Sequence, residues 1–150
     1  YARGVLETVK KLRWCPDVIH CQGWMSAIAP LYIKTAYRED PPFANARVVY
    51  SDFNVYPTTG LGERFAESLA FRGASIDLLE RQGVDLSAPD ALGQMAAGFS
   101  DGLILVEGQD AGSLAQFAAA HNIPTLANPV GTDKEKAQAY SDFYEQVFGM

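Results

Sequence analysis

Basic residues are in the minority in this sequence of 150 residues, which carries 12 Lys and Arg against 18 Asp and Glu, for a net charge of −6. No run of basic residues offsets this balance, so binding to a nucleic acid backbone or to an anionic membrane surface is disfavoured. Long apolar stretches are also missing, and none approaches the roughly 20 residues that a membrane-spanning helix needs. The first residues, Tyr1 to Gly4, do not resemble a signal peptide, and we expect a cytoplasmic protein.

Cysteine is scarce as well, since the chain contains only Cys15 and Cys21. They do not form a CxxC pair, which removes the usual signal for a zinc site or a thioredoxin-type redox site. If Cys21 lies in a buried strand, its thiol is inert packing. The acidic residues of the middle of the chain lack the spacing of metal ligands, so we predict no metal site.

What the sequence does contain is the composition of one globular domain, with 48% hydrophobic and 20% charged residues, which we assign to residues 1–150. Short apolar runs alternate along it with segments of helical periodicity. This order predicts an α/β fold, namely a Rossmann-like parallel sheet of about four strands with helices on both faces. The predicted strands are 17–21, 47–51, 102–106 and 124–127.

Helix boundaries are predicted from the same patterns. Residues 24–37 are expected to form one helix that contains Pro30, and residues 39–42, with two prolines in succession, a loop. Thr132 is the predicted cap of a closing helix over residues 133–148, whose first turn is acidic.

Ligands of such sheets bind beyond the carboxyl ends of the strands. That rule nominates four loops as the functional side of the domain. They are residues 20–25, 51–62, 107–112 and 127–132.

The first nominated loop combines a histidine, an amide, a glycine and an indole, at His20, Gln22, Gly23 and Trp24. An aromatic face suits the apolar C–H groups of a sugar ring, and the amide and imidazole can bond its hydroxyls. Because the first two predicted strands are neighbours, we expect Asn54 to converge with these residues. The alternative is that His20 and Trp24 simply pack against the sheet.

The chain resembles bacterial starch and glycogen synthases, most specifically over residues 2–36. In that family a Pro-Asp-Val-Ile-His strand leads into a turn containing Trp, and then into an apolar helix that reads Ala-Pro-x-Tyr-x-Lys. Later parts of the chain are similar to the family's next strand and its Asn, to a later strand entry, and to the end of a compact single-domain branch. The matching segments are Pro16–His20, Gln22–Met25, Ala29–Lys34, Val48–Asn54, Gly98–Ile104 and Tyr140–Val147.

The resemblance implies one half of a two-domain GT-B glycosyltransferase that moves glucose from ADP-glucose to an α-1,4-glucan. ADP-glucose would be the donor substrate, and no cofactor is implied. Gly23, Met25 and Phe53 stand where the family has an aspartate and two histidines, so we expect no catalytic residue in this chain and no activity from it alone.

The resemblance also implies that the chain is a fragment of the N-terminal domain that lacks its first strand. The expected partners are an α-glucan or maltooligosaccharide, a missing N-terminal segment or second domain, and a second copy of the chain that pairs with an open sheet edge. Two alternatives remain. One is a non-catalytic carbohydrate-binding or protein-interaction module of the same fold. The other is a flavodoxin-like or receiver-like domain, which the absence of acidic residues at the ends of the predicted strands disfavours.

Overall fold

The computed structural model of the protein describes residues 1–57, 61–62, 64–106, 112–127 and 129–149. Parts of three nominated loops, at 58–60, 107–111 and 128, therefore lie outside the described residues. No helix in the part of the chain described is both long and apolar enough to cross a membrane.

A sheet of four parallel strands forms the centre of the fold, and its spatial order is the order along the chain. This confirms the predicted α/β class and each of the four predicted strands. Within the described residues, the first and last strands are the two sheet edges. The strands are β1 (Val18–Gln22), β2 (Arg47–Asp52), β3 (Gly102–Leu105) and β4 (Thr125–Ala127).

Eight α-helices and one 3-10 helix surround the sheet in the described part of the chain. Most of them lie within or close to the segments whose periodicity is helical. The helices are α1 (Ala2–Lys11), the 3-10 helix (Trp24–Ser26), α2 (Ile28–Lys34), α3 (Pro41–Ala44), α4 (Phe65–Leu69), α5 (Ile76–Arg81), α6 (Ala91–Gly98), α7 (Ser113–Ala120) and α8 (Asp133–Phe148).

Two boundary predictions are wrong, and both involve proline or a side chain that competes for backbone groups. The segment predicted as one helix over 24–37 is divided, because the Ser26 hydroxyl donates to the carbonyls of Gln22 and Gly23 in a 3-10 turn before α2 begins. The predicted loop at 39–42 instead leads into α3, whose first residue is Pro41, a position where proline's missing N–H is not needed.

Helices cover the two faces of the sheet unequally. Alternate side chains of β2 and β3, such as Tyr50 and Leu103, point into a large core that they share with α1, α2, α6 and α7. The intervening side chains Val49 and Ile104 face a smaller core, to which α8 is the only described helix that contributes. The prediction of helices on both faces is therefore confirmed, with α8 as the one described helix on the second face.

Helix α8 is fixed at its start and near its end. The predicted cap is present, since the Thr132 hydroxyl accepts from the Glu135 amide and the Glu135 carboxylate accepts from the Thr132 amide, each at 3.2 Å. Further along, Phe143 and Val147 pack closely over Gly102 of β3. A glycine in that strand lets the helix approach the sheet.

Candidate functional site

An open hollow of about 320 Å³ lies at the carboxyl edge of the sheet, where the loops that follow β1 and β2 meet. The register holds these loops side by side, because Gln22 is opposite Ser51 and the Gly23 amide donates to the Ser51 carbonyl at 3.0 Å. None of the lining residues is charged. They are Gln22, Gly23, Trp24, Met25, Phe53 and Val55.

Trp24 is presented to this hollow by the turn that follows β1. Gly23 has φ +76° and ψ 168°, a conformation that only glycine adopts without strain, and Trp24 then starts the 3-10 helix. The Ser26 hydroxyl closes the turn by bonding the carbonyls of Gln22 and Gly23. As a result the Trp24 side chain keeps 38% of its surface exposed at the hollow.

The opposite side of the hollow is a wall made of Phe53 and Val55, which stand on the loop after β2. The Phe53 ring lies over Gly23, with Cδ2 3.6 Å from the point where a Cβ of residue 23 would stand. Three apolar side chains at the hollow are more exposed than Trp24, with values of 63% for Met25, 47% for Phe53 and 61% for Val55. The hollow is therefore an exposed apolar surface beside the side-chain amide of Gln22.

A buried carboxylate lies directly behind this wall. Asp52 ends β2 with only 1% of its surface exposed, and its Oδ1 accepts from the Tyr56 hydroxyl at 2.5 Å. Its Oδ2 accepts a hydrogen bond from the backbone amide of Asn54 at 3.0 Å, the bond that defines an Asx turn. Burial, and then the hydrogen bond to Asp52, raise the pKa of Tyr56 well above its ordinary value, so the hydroxyl remains a donor.

Sequence reasoning missed Asp52, Tyr56 and Val55. An aspartate at the end of a strand, two positions before an asparagine, is a signal for an Asx turn and could have indicated Asp52. Tyr56 carried no such signal, since its role depends on α6, which is distant in sequence.

The structure places the predicted site residues in two groups. Gln22, Gly23 and Trp24 lie together at the hollow. Asn54 is adjacent to the hollow, with φ +57° and an exposed side chain, but the lining residues do not include it. A ligand-binding role for any of these residues stays a prediction.

His20 points to the other face of the sheet, towards α8. One ring nitrogen, Nδ1, lies 2.5 Å from the Tyr144 hydroxyl, and the other, Nε2, lies 2.5 Å from the Ser51 hydroxyl. Burial lowers the pKa of His20 below its ordinary value, which favours the neutral ring. The histidine therefore joins α8 to β1 and β2, and it does not line the hollow.

Cys21, next to Gln22 in β1, offers no reactive thiol at this edge. Burial raises the pKa of the Cys21 thiol to about 12, so this cysteine stays protonated in the core. The described ranges contain no cluster of three or more His, Cys, Asp or Glu residues that could hold a metal ion.

Comparison with known proteins adds the family. A family model described as the starch synthase catalytic domain matches residues 1–106, which include β1, β2, β3 and every residue that lines the hollow. The chain belongs to the starch synthase catalytic domain family. Residues 107–150, which include β4 and α8, lie outside this match.

Curated relatives agree with this family and share shorter segments. The glycogen synthase of Clostridium perfringens is 42% identical over 55 residues, or 37% of this chain and 11% of that protein. The glycogen synthase of Chlorobium chlorochromatii is 45% identical over 53 residues, or 35% of this chain and 11% of that protein. That of Desulforudis audaxviator is 36% identical over 86 residues, or 49% and 17%. The chain thus spans a small part of the length of these relatives. No solved structure matches it.

Proposed function

We propose that this chain is the acceptor-side part of a glycogen or starch synthase and holds an α-1,4-glucan in the hollow beside Trp24. The observation that carries the proposal is the exposed Trp24 ring, at the carboxyl edge of a parallel sheet and next to the Gln22 amide. A sugar ring packs its C–H groups on an aromatic face, and its hydroxyls bond a neighbouring amide. The family of the chain supports glucan as the ligand.

In this proposal the sugar donor is ADP-glucose, and it is held by another part of the protein or by a second domain. Among the described residues that line the hollow, none is titratable, and proton transfer to a reacting sugar requires a titratable group. The isolated chain therefore binds the acceptor without extending it.

Affinity is expected to be weak because the hollow is open and leaves much of a bound glucan in water. We expect a dissociation constant that is roughly millimolar, or about −4 kcal/mol. Gln22 would supply the hydrogen bond that orients the sugar, and Trp24 most of the apolar contact.

Tryptophan fluorescence tests the proposal directly. The chain has two tryptophans, so a Trp14→Phe protein leaves Trp24 as the only reporter. Titration with maltoheptaose should give a saturable change. The Trp24→Phe protein, which retains Trp14, is the matched control and should stay flat. A flat Trp24 signal up to tens of millimolar would reject glucan binding at the hollow.

A second candidate function is favoured by the exposure of Met25, Phe53 and Val55. Exposed apolar patches with aromatic and methionine side chains are typical of protein interfaces. The partner in this alternative is a second copy of this chain, which can be tested with the purified protein alone. A mass that rises with concentration in light scattering, and that Met25→Lys lowers to the monomer value, would support this function over glucan binding.

A further inference from the structure

The wall of Phe53 and Val55 stands on a short loop, and one carboxylate holds both ends of that loop. Asp52 Oδ2 accepts from the amide of Asn54, between the two wall residues, and Asp52 Oδ1 accepts from the hydroxyl of Tyr56, just beyond them. Asn54 keeps φ +57°, a conformation that asparagine tolerates better than most residues. The position of the wall therefore depends on the position of the Asp52 carboxylate.

Gly93 of helix α6 leaves room for that carboxylate and for the tyrosine that donates to it. Gly93 faces them, and a Cβ there would overlap the Tyr56 hydroxyl and stand 3.3 Å from Asp52 Oδ1. The absence of a side chain at residue 93 is what lets the Tyr56 hydroxyl reach Asp52. None of the three residues lines the hollow.

We propose that Asp52, Tyr56 and Gly93, the Asp52 cluster, are positioning residues that hold the Phe53–Val55 wall against Gly23 and so set the glucan affinity of the hollow. This inference rests on the proposed function for its ligand. Its structural half, that the cluster fixes the wall, stands on the distances alone and can be tested without any ligand.

Gly93→Ala tests the proposal with a change that should not harm the helix, since alanine is the better helix former. The new methyl group displaces the Tyr56 hydroxyl from Asp52. Gly98→Ala, in the same helix, is the matched control, because a Cβ there meets the Phe117 ring at an ordinary 3.5 Å. Tyr56→Phe is a second variant, which keeps the ring and removes only the hydroxyl.

Two measurements separate the structural half from the functional one. In the free protein, amide exchange of Asn54 should accelerate at least about fivefold in Gly93→Ala and Tyr56→Phe, the factor expected from loss of one hydrogen bond. The backbone amide of Val49 in β2 should exchange as in the wild type. In the control variant Gly98→Ala, the exchange rates of both amides should be unchanged. In the Trp14→Phe background, both cluster variants should weaken maltoheptaose binding at least about fivefold, and Gly98→Ala should not.

Each outcome decides a different claim. Unchanged Asn54 exchange in both cluster variants would overturn the positioning role. Accelerated exchange with unchanged maltoheptaose binding would also overturn it, because the wall would then be irrelevant to affinity. A flat titration of the wild type itself would reject the proposed function, and the exchange data would still decide whether the cluster holds the wall.

Discussion

The ring of Phe53 lies over Gly23, with its Cδ2 atom 3.6 Å from the place of a missing Cβ. The resemblance to the synthases implies an aspartate and a histidine at these two positions of the family. In this chain an aromatic ring stands beside a glycine there, and both residues line the apolar hollow.

Gly23→Ala should destabilise the protein, because the residue has φ +76° and ψ 168°. The added methyl group itself would meet Phe53 only at ordinary contact distance, so the cost is backbone strain of about 1–3 kcal/mol. Urea denaturation measures it. Gly4→Ala, in α1 with open space around it, is the control and should be neutral or stabilising. Equal midpoints for Gly23→Ala and the wild type would contradict the strained geometry.

Incubation of the isolated chain with ADP-glucose and maltoheptaose should give no elongated glucan. The reason is that no described residue lining the hollow has a titratable side chain, and orienting or charge-stabilising groups contribute about 10²–10³ each in rate. Product chain lengths and released ADP are the two measurements, with an intact glycogen synthase as the positive control. ADP release that depends on the presence of the glucan would show that the chain is an active transferase.

Stability should fall as the pH drops below the ordinary pKa of histidine, 6.5, because burial lowers the pKa of His20 in the folded state. Between the two pKa values the unfolded chain binds a proton that the folded chain does not, so the contribution is complete above pH 6.5 and is lost on acidification. The slope can reach about 1.4 kcal/mol per pH unit.

Urea midpoints from about pH 8 to about pH 5 check this dependence. The groups facing the ring are the hydroxyls of Ser51 and Tyr144 and the ring of Tyr140. Burial raises the pKa of Tyr144, so its hydroxyl stays protonated in this range. In His20→Gln the part of the slope that is due to this residue should vanish. Identical slopes for the two proteins would exclude His20 as the source.

Gly102→Ala should loosen α8, because the new Cβ would lie 2.8 Å from Val147 Cγ2 and 3.0 Å from the Phe143 ring. Such overpacking costs about 1–3 kcal/mol. Val147→Ala removes the nearest atom, so the double variant should be less destabilised than the sum of the two single variants. Strict additivity in urea denaturation would mean that the two residues do not meet as described.

The strands were predictable because each is a short apolar run between helical segments, as in residues 17–21 and 102–106. The turn at Trp24 was predicted as helix. Hydrophobic periodicity gives no sign that the Ser26 hydroxyl donates to the carbonyls of two preceding residues. Gln22 and Trp24 could be placed at the carboxyl edge of the sheet because both follow the first predicted strand. The contact of the His20 side chain with α8 could not be predicted, since its partner Tyr144 lies 124 positions away in the sequence.

Helix α8 also has a consequence for the order in which the molecule forms. The link between His20 and Tyr144 joins the first strand to the last helix, so one face of the sheet closes only after the ribosome has made nearly all of these residues. Until then Val49 and Ile104 of the nascent chain face water, and a chaperone that recognises apolar segments has a binding surface there. Contacts of such long sequence separation also slow folding, so closure of this face depends on the synthesis of α8.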